Sequence, residues 1–225
     1  MKSTSLLTAL GASLALSAAS AMAAKPQSEM EQFSYAIGYQ IGQTFKRDNL
    51  DIDTTALGAA IRDVLDGKEP QLSMVEMRSV MVSMQQKMQA KQQAQANKAK
   101  ADGEAYLTAN KTKTGVVTLD SGVQYKVISS GNGKQPSATD SITAHYTGTL
   151  LNGKVFDSSY QRNEPATFQV NQVIAGWQEV LPLMHEGDKW QVYIPAEHAY
   201  GENGAGPNIG PNETLIFDIE LISVN

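Results

Sequence analysis

The chain has 225 residues, with 18 Lys and Arg against 23 Asp and Glu, a formal net charge of −5, and no cysteine. That balance offers no basic stripe to neutralise phosphates, which excludes nucleic acid as the main partner; the missing cysteine excludes a disulfide framework and a lipid-modified cysteine anchor. Only three histidines occur, His145, His185 and His198, with no ligand spacing among them, so no metal or other cofactor is expected.

At the N-terminus, Lys2, an apolar run from Leu6 to Ala19 and the small-x-small sequence Ala21-Met22-Ala23 make up the three parts of a secretory signal peptide over residues 1–23, with cleavage expected after Ala23. The run is too short to anchor the chain, and no later segment is apolar enough to span a bilayer. The expected product is exported, to the periplasm or to the outer membrane or cell surface.

Residues 24–72 read as a helical dimerisation domain. Phe33, Ile37, Ile41 and Phe45 recur every four residues, and Gly38 and Gly42 lie on the neighbouring face, where another helix could approach closely. Asp53 is placed to cap a second helix carrying Leu57, Ile61, Val64 and Leu65, which Gly67 ends.

Residues 73–114 read as a long connecting helix. Ser73 and Glu76 form a capping box at its start, and nothing stops it before Thr114-Gly115. Its length is then roughly 57 Å at 1.5 Å per residue, longer than a small domain is wide. Met74, Met77, Met81, Met84 and Met88 alternate spacings of three and four, as a two-helix seam requires; flexible thioethers could also offer unfolded clients an adaptable surface. From Lys91 to Lys100 the residues are Lys, Gln, Ala and Asn, good helix formers without an apolar face. The first half of this helix is therefore expected to pack and the second to stand in water.

Composition changes near Thr114: twelve of eighteen glycines and six of eight prolines lie from Gly115 onward. Strands are expected over 122–129, 141–151, 155–158, 167–170, 188–194 and 214–224, with a turn at Asn152-Gly153. Ile174 to Met184 reads as one short helix despite Pro182. A curved antiparallel sheet wrapped on one helix gives residues 115–225 an α+β fold.

The aromatic residues of this domain recur around its turns with no nucleophile, metal cluster or phosphate loop beside them. A Gly-x-Ser-x-Gly elbow is absent, and Gly204 to Gly210 lacks the spacing and strand-then-helix setting of a dinucleotide loop. The inventory suits a pocket that binds and deforms an apolar group rather than one that breaks bonds.

Several separated motifs occur in order: His145-Tyr146-Thr147-Gly148, Phe156-Asp157-Ser158-Ser159, Val173-Ile174-Ala175-Gly176-Trp177, Ala199-Tyr200-Gly201 and Pro211-Asn212-Glu213-Thr214-Leu215-Ile216-Phe217-Asp218. In these, residues 115–225 resemble the FKBP-type peptidyl-prolyl cis-trans isomerase family. The helical half, the long helix and the signal peptide ahead of them resemble its macrophage infectivity potentiator (Mip) subgroup. The resemblance implies an FKBP-like sheet wrapped on its short helix, behind an all-α dimerisation domain. It implies Trp177 as the floor under a proline ring, with Tyr146, Phe156, Val173, Ile174, Ile209 and Phe217 as walls. It implies further that the Ile174 N–H and the Tyr200 hydroxyl reach substrate carbonyl oxygens, and that Asp157, held by Tyr146 and Arg162, sits against the twisted carbonyl. Ala166, Ala205 and Asn208 depart from the family pattern, which carries an aromatic residue, a histidine and an aliphatic residue there; Phe168 is the candidate to replace the wall missing at Ala166.

The implied partners are proline-containing unfolded polypeptides, macrolide inhibitors and a second copy of the chain. The implied activity is isomerisation of X-Pro bonds during protein folding, joined to chaperone action. The competing reading is a non-catalytic binding or adhesion module that keeps the fold and acts through its helical half.

Overall fold

The computed structural model describes residues 25–48 and 50–225; the expected signal peptide lies outside them. Two compact units meet at the boundary between Lys68 and Glu69.

The first unit holds helices α1 (Glu29–Arg47) and α2 (Thr54–Leu65). Ser28 and Glu31 form a capping box at α1, and Asp53 accepts from the Thr55 and Ala56 N–H groups at α2 at 2.8 and 3.0 Å. Gly67, with φ +67°, takes the left-handed conformation that closes α2 and that a side chain would disfavour. Neither helix contains a buried residue; Phe33 is 62 % and Ile41 41 % exposed in the single chain.

The second unit begins with α3 (Met74–Asn110), 37 residues capped by Ser73 and Glu76. Its buried positions are Ala96, Gly103 and Asn110, each seven residues from the next, while Met74 and Met81 are 74 % and 71 % exposed. The expected order is thus reversed within one chain. The polar half of α3 packs because its contact surface is built from small and hydrogen-bonding residues, which apolar periodicity does not register. A Cβ on Gly103 would overlap the Thr214 hydroxyl. Asn110 donates to Gln124 Oε1 and Gln124 donates to the Leu107 carbonyl, each at 2.9 Å, and Tyr106 meets Tyr193 at 6.0 Å between ring centres.

Among the described residues seven strands form one antiparallel sheet: β1 (Val116–Thr118), β2 (Gln124–Ser129), β3 (Ser141–Leu150), β4 (Val155–Ser158), β5 (Ala166–Gln169), β6 (Lys189–Ile194) and β7 (Leu215–Val224). Their order is β1-β2-β6-β7-β3-β4, with β5 also on β3. Strand β3 alternates without a break, placing Ile142, Ala144, Tyr146, Gly148 and Leu150 on its buried face. The short β1 has too few residues to give a readable alternation.

The helix expected from Ile174 to Met184 is shorter. Helix α4 runs from Ala175 to Val180 and passes into a 3-10 turn at Leu181–Leu183, because Pro182 has no N–H to continue the α ladder. Gly176 lets α4 lie directly on the sheet, since a Cβ there would come within 2.5 Å of Ile194. Trp177, Val180 and Leu181 thereby join Val192, Ile194, Leu215 and Ile219 in one core.

Candidate active site

Between α4 and the sheet lies an open cavity of about 320 Å³, lined by Tyr146, Phe156, Asp157, Phe168, Gln172, Val173, Ile174, Trp177, Tyr200 and Phe217. Trp177 is 3 % exposed, and three rings meet it nearly edge-on: Tyr146 at 5.5 Å, Phe168 at 5.6 Å and Phe217 at 5.2 Å. Phe156 meets Phe217 in the same way at 5.5 Å. Edge-to-face contacts of this kind hold rings in fixed orientations, so the floor and walls support one another without a bound molecule.

One carboxylate enters this box. Asp157 on β4 accepts from the Tyr146 hydroxyl with one oxygen and from Arg162 with the other, and Arg162 also donates to the Tyr146 hydroxyl at 2.9 Å. Burial pushes the Asp157 carboxyl upward, but the donated hydrogen bonds and the Arg162 charge outweigh it and hold the group below the usual carboxylate range. Tyr146 moves the other way, raised by burial and then by its bond to Asp157.

Several donors of the lining residues remain unspent, the buried Trp177 Nε1 among them. Among the described residues neither the Ile174 backbone N–H nor the Tyr200 hydroxyl has an acceptor. Burial and the nearby Asp157 charge raise the Tyr200 hydroxyl, so it keeps its proton. Tyr200 follows a 3-10 turn at Ala196–His198 and precedes Gly201, whose φ of +57° turns the chain away from the site. A second link fixes that turn: Glu179 on α4 meets His198 Nδ1 at 3.0 Å and accepts from the Ser121 hydroxyl.

Most residues expected at the site therefore converge, and Phe168 is among those lining the cavity. Arg162 reaches it through Asp157. Ile209 does not line the cavity; it is 7 % exposed, packs in the core and closes its own loop by two backbone bonds to Ala205 of 2.9 and 3.2 Å. Ala166 and Ala205 lie against the core, and Asn208 accepts from Lys154 at 3.2 Å. Gln172 and the Glu179–His198 link are additions. Gln172 adjoins Val173-Ile174, a proximity that could have flagged it; the other pair is 19 residues apart in sequence and carries no local pattern. His145 faces away from the cavity, stacked on Tyr160 at 4.5 Å. Clefts beside α3 are lined by Lys98, Lys100, Asp102, Glu104 and other charged side chains, and they lack the aromatic floor.

Known proteins show the same combination. The profile described as FKBP-type peptidyl-prolyl cis-trans isomerase matches residues 132–222, and that of the domain amino-terminal to such isomerases matches 30–127. The chain is 45 % identical over 225 residues to the outer membrane protein MIP of Legionella longbeachae, covering 97 % of each chain. It is 42 % identical over 213 residues to the peptidyl-prolyl cis-trans isomerase Mip of Coxiella burnetii, covering 91 % of each. The crystal structure of FkpA from Escherichia coli matches with a TM-score of 0.64 and 33 % identity, covering 88 % of this chain and 98 % of that one. With its cavity, its helical N-terminal half and these relatives, the chain belongs to the FKBP-type peptidyl-prolyl cis-trans isomerases, in the Mip subgroup.

Proposed function

We propose that the 320 Å³ cavity is where the isomerase acts, with Trp177 beneath the proline ring and Tyr146, Phe156, Phe168, Val173 and Phe217 around it. Rotation about an X-Pro bond is slow because the amide must lose its double-bond character, a barrier of about 18–20 kcal/mol. That character depends on charge separation, which water favours and an apolar box does not. Removing the bond from water lowers the cost of twisting it, and groups that fit the twisted form better than the planar one accelerate it further.

The Ile174 N–H and the Tyr200 hydroxyl hold substrate carbonyl oxygens, which fixes the chain on either side of the rotating bond. Asp157 faces the twisted carbonyl, whose carbon gains positive character once the nitrogen lone pair is withdrawn from conjugation. The observation that carries this reading is an aromatic box in which the Ile174 N–H and the Tyr200 hydroxyl, two donors without an acceptor, stand with one anchored carboxylate, Asp157. The test is an NMR exchange or protease-coupled assay on an Ala-Leu-Pro-Phe peptide. Asp157→Leu is expected to lower kcat/KM about ten- to a hundredfold, the scale of an interaction with a charged group, and Tyr200→Ala about three- to tenfold, the scale of one neutral hydrogen bond, each with unchanged circular dichroism. Unaltered turnover in both variants would remove Asp157 and Tyr200 from the mechanism.

The substrates are proline-containing unfolded polypeptides, and macrolides that mimic them fit the same box. Residues 24–72 and the methionine stripe form a homodimer seam, supported by helices without buried residues and by the match to the amino-terminal domain of the family. The sheet domain 115–225 follows the long helix of 73–114, so two sites per dimer can hold one unfolded chain by effective concentration, giving chaperone action without ATP. Export is supported by the pattern from Lys2 to Ala23 and by the outer-membrane name of the Legionella longbeachae relative.

A further inference from the structure

We infer that Gln178 is a positioning residue for the isomerase: its side-chain amide fixes the peptide plane that presents the Ile174 N–H to the substrate. The inference rests on the reading of that N–H as a substrate donor.

The Val173 carbonyl and the Ile174 N–H belong to one peptide unit. In a trans peptide they point in opposite directions from a rigid plane, and no described peptide bond is cis. Whatever holds the carbonyl therefore aims the N–H. Gln178 Nε2 donates to the Val173 carbonyl at 2.7 Å, and a longer contact of 3.5 Å reaches the Asn171 carbonyl. Among the described residues no other donor reaches the Val173 carbonyl.

The local chain needs such a restraint. The 3-10 turn of Val170–Gln172 ends at Val173, and α4 starts only at Ala175. The Val173–Ile174 peptide thus sits between two short elements and takes its orientation from ψ of Val173 at 175° and φ of Ile174 at −58°. Rotation about these two single bonds in opposite senses would swing the N–H out of the cavity while moving the flanking chain little. Ile174 caps α4 without a side-chain hydrogen bond, so Gln178, one turn along α4, supplies the tie. A donor on the carbonyl also polarises the amide, making its N–H a stronger donor in turn.

Gln178 is exposed, touches no residue of the aromatic floor through its amide, and is not part of the cavity lining. Its replacement leaves the core intact, which separates positioning from folding. Gln178→Leu removes the donor. Gln178→Glu tests it by charge: the ionised carboxylate cannot donate and repels the Val173 oxygen, whereas the protonated acid can donate.

The experiment follows two readouts on the full-length protein: the amide resonance of Ile174 in substrate-free ¹H–¹⁵N spectra, and KM and kcat by NMR exchange on the Ala-Leu-Pro-Phe peptide. In both variants at pH 7 the Ile174 resonance should move. KM should rise about three- to tenfold, the scale of one neutral hydrogen bond, while kcat changes less because this contact is made before and during rotation. Lowering the pH through the carboxyl range should restore KM in Gln178→Glu and leave Gln178→Leu impaired. An unmoved Ile174 resonance overturns the positioning role and leaves the assignment of the cavity standing. A moved resonance with unchanged KM overturns the inference differently, by removing the Ile174 N–H from substrate binding.

Discussion

The sheet domain and the helices α1 and α2 differ in where their apolar residues go. In the domain, Trp177, Trp190, Ile194, Leu215 and Phe217 share one core, all at most 5 % exposed. In α1, Phe33, Tyr35 and Tyr39 are 62, 62 and 58 % exposed. Ordering a residue costs about 1–2 kcal/mol of backbone entropy, and most helical stability in proteins comes from packing an apolar face rather than from propensity. The domain offsets that cost within its own chain; α1 and α2 have no buried residue with which to do so. The difference separates a region that buries its apolar residues within one chain from one that leaves them exposed there.

The sharpest way to break the comparison is to place charge among the exposed apolar residues of α1. A double change, Phe33→Asp with Ile41→Asp, should convert the proposed dimer entirely to monomer, halving the mass seen by light scattering at micromolar concentration. Peptide isomerisation per chain should be unchanged, since the cavity draws none of its lining from these helices. A wild-type protein that scatters as a monomer would remove the dimer altogether.

Helix α3 shows the same contrast within one element, and there the outcome departs from what its sequence suggests. Its buried half is bound to the sheet domain through Ala96, Gly103 and Asn110, so the expected break at Gly115 would cut through a packed seam. A domain beginning at Gly115 leaves the buried Gln124 without Asn110 and without the Leu107 carbonyl; one beginning near Gln92 keeps both. The shorter form should be less stable by about 1–3 kcal/mol, two lost hydrogen bonds at a net of about 0.5–1.5 kcal/mol each, since water reaches Gln124 once α3 is gone, measured as a urea midpoint. In the full chain, Gly103→Val drives a branched side chain against Thr214 and should cost about 1–3 kcal/mol by overpacking. Equal midpoints for both lengths would mean that α3 contributes nothing to the domain.

Legibility divides along physical lines. Two helix starts were readable because Asp53 and Ser73 do their capping within three residues. The strands were readable because β3 alternates without interruption. At the site, Asp157, Trp177 and Tyr200 lie in motifs whose spacing resembles the family, whereas Gln172 lines the cavity and Gln178 bonds the Val173 carbonyl without belonging to any of those motifs. The α3 seam stayed hidden because glycine, alanine and asparagine carry no hydrophobic period. Ile209 was misplaced because an apolar residue in a rim loop can turn inward, and the Ala205–Ile209 pairing turns this one into the core.

Within the sheet domain, a smaller perturbation asks whether the cavity is as preformed as its ring contacts imply. Gly148 on β3 faces two of its walls: a Cβ there would lie 2.5 Å from Phe156 and 2.8 Å from Phe217. Gly148→Ala should push Phe156, the more exposed ring, into the cavity and lower kcat/KM about tenfold, the rate equivalent of roughly 1.4 kcal/mol and within the range of one overpacked methyl. The domain should still melt cooperatively. Unchanged kinetics would show walls that yield freely.

The smallest expected effect is with pH, and its sign follows from Asp157. Its folded-state pKa lies below the ordinary value, so ionised Asp157 contributes stability that is fully present above the unfolded-state pKa of about 3.9. That contribution is lost only as pH falls through the lower folded value. The side chain is 42 % exposed, and that of its partner Arg162 49 %, so solvent screening keeps the contribution small. At the alkaline end the upward shifts of Tyr146 and Tyr200 keep both phenols protonated beyond the ordinary tyrosine range. Peptide turnover should therefore stay level from about pH 8 to about pH 4 and fall to half of its plateau only below the ordinary aspartate value of about 3.9. Asp157→Asn should lower the plateau and abolish the acid decline, since no carboxylate remains to titrate. A wild-type step centred above pH 5 would place the controlling group outside the Asp157–Tyr146–Arg162 cluster.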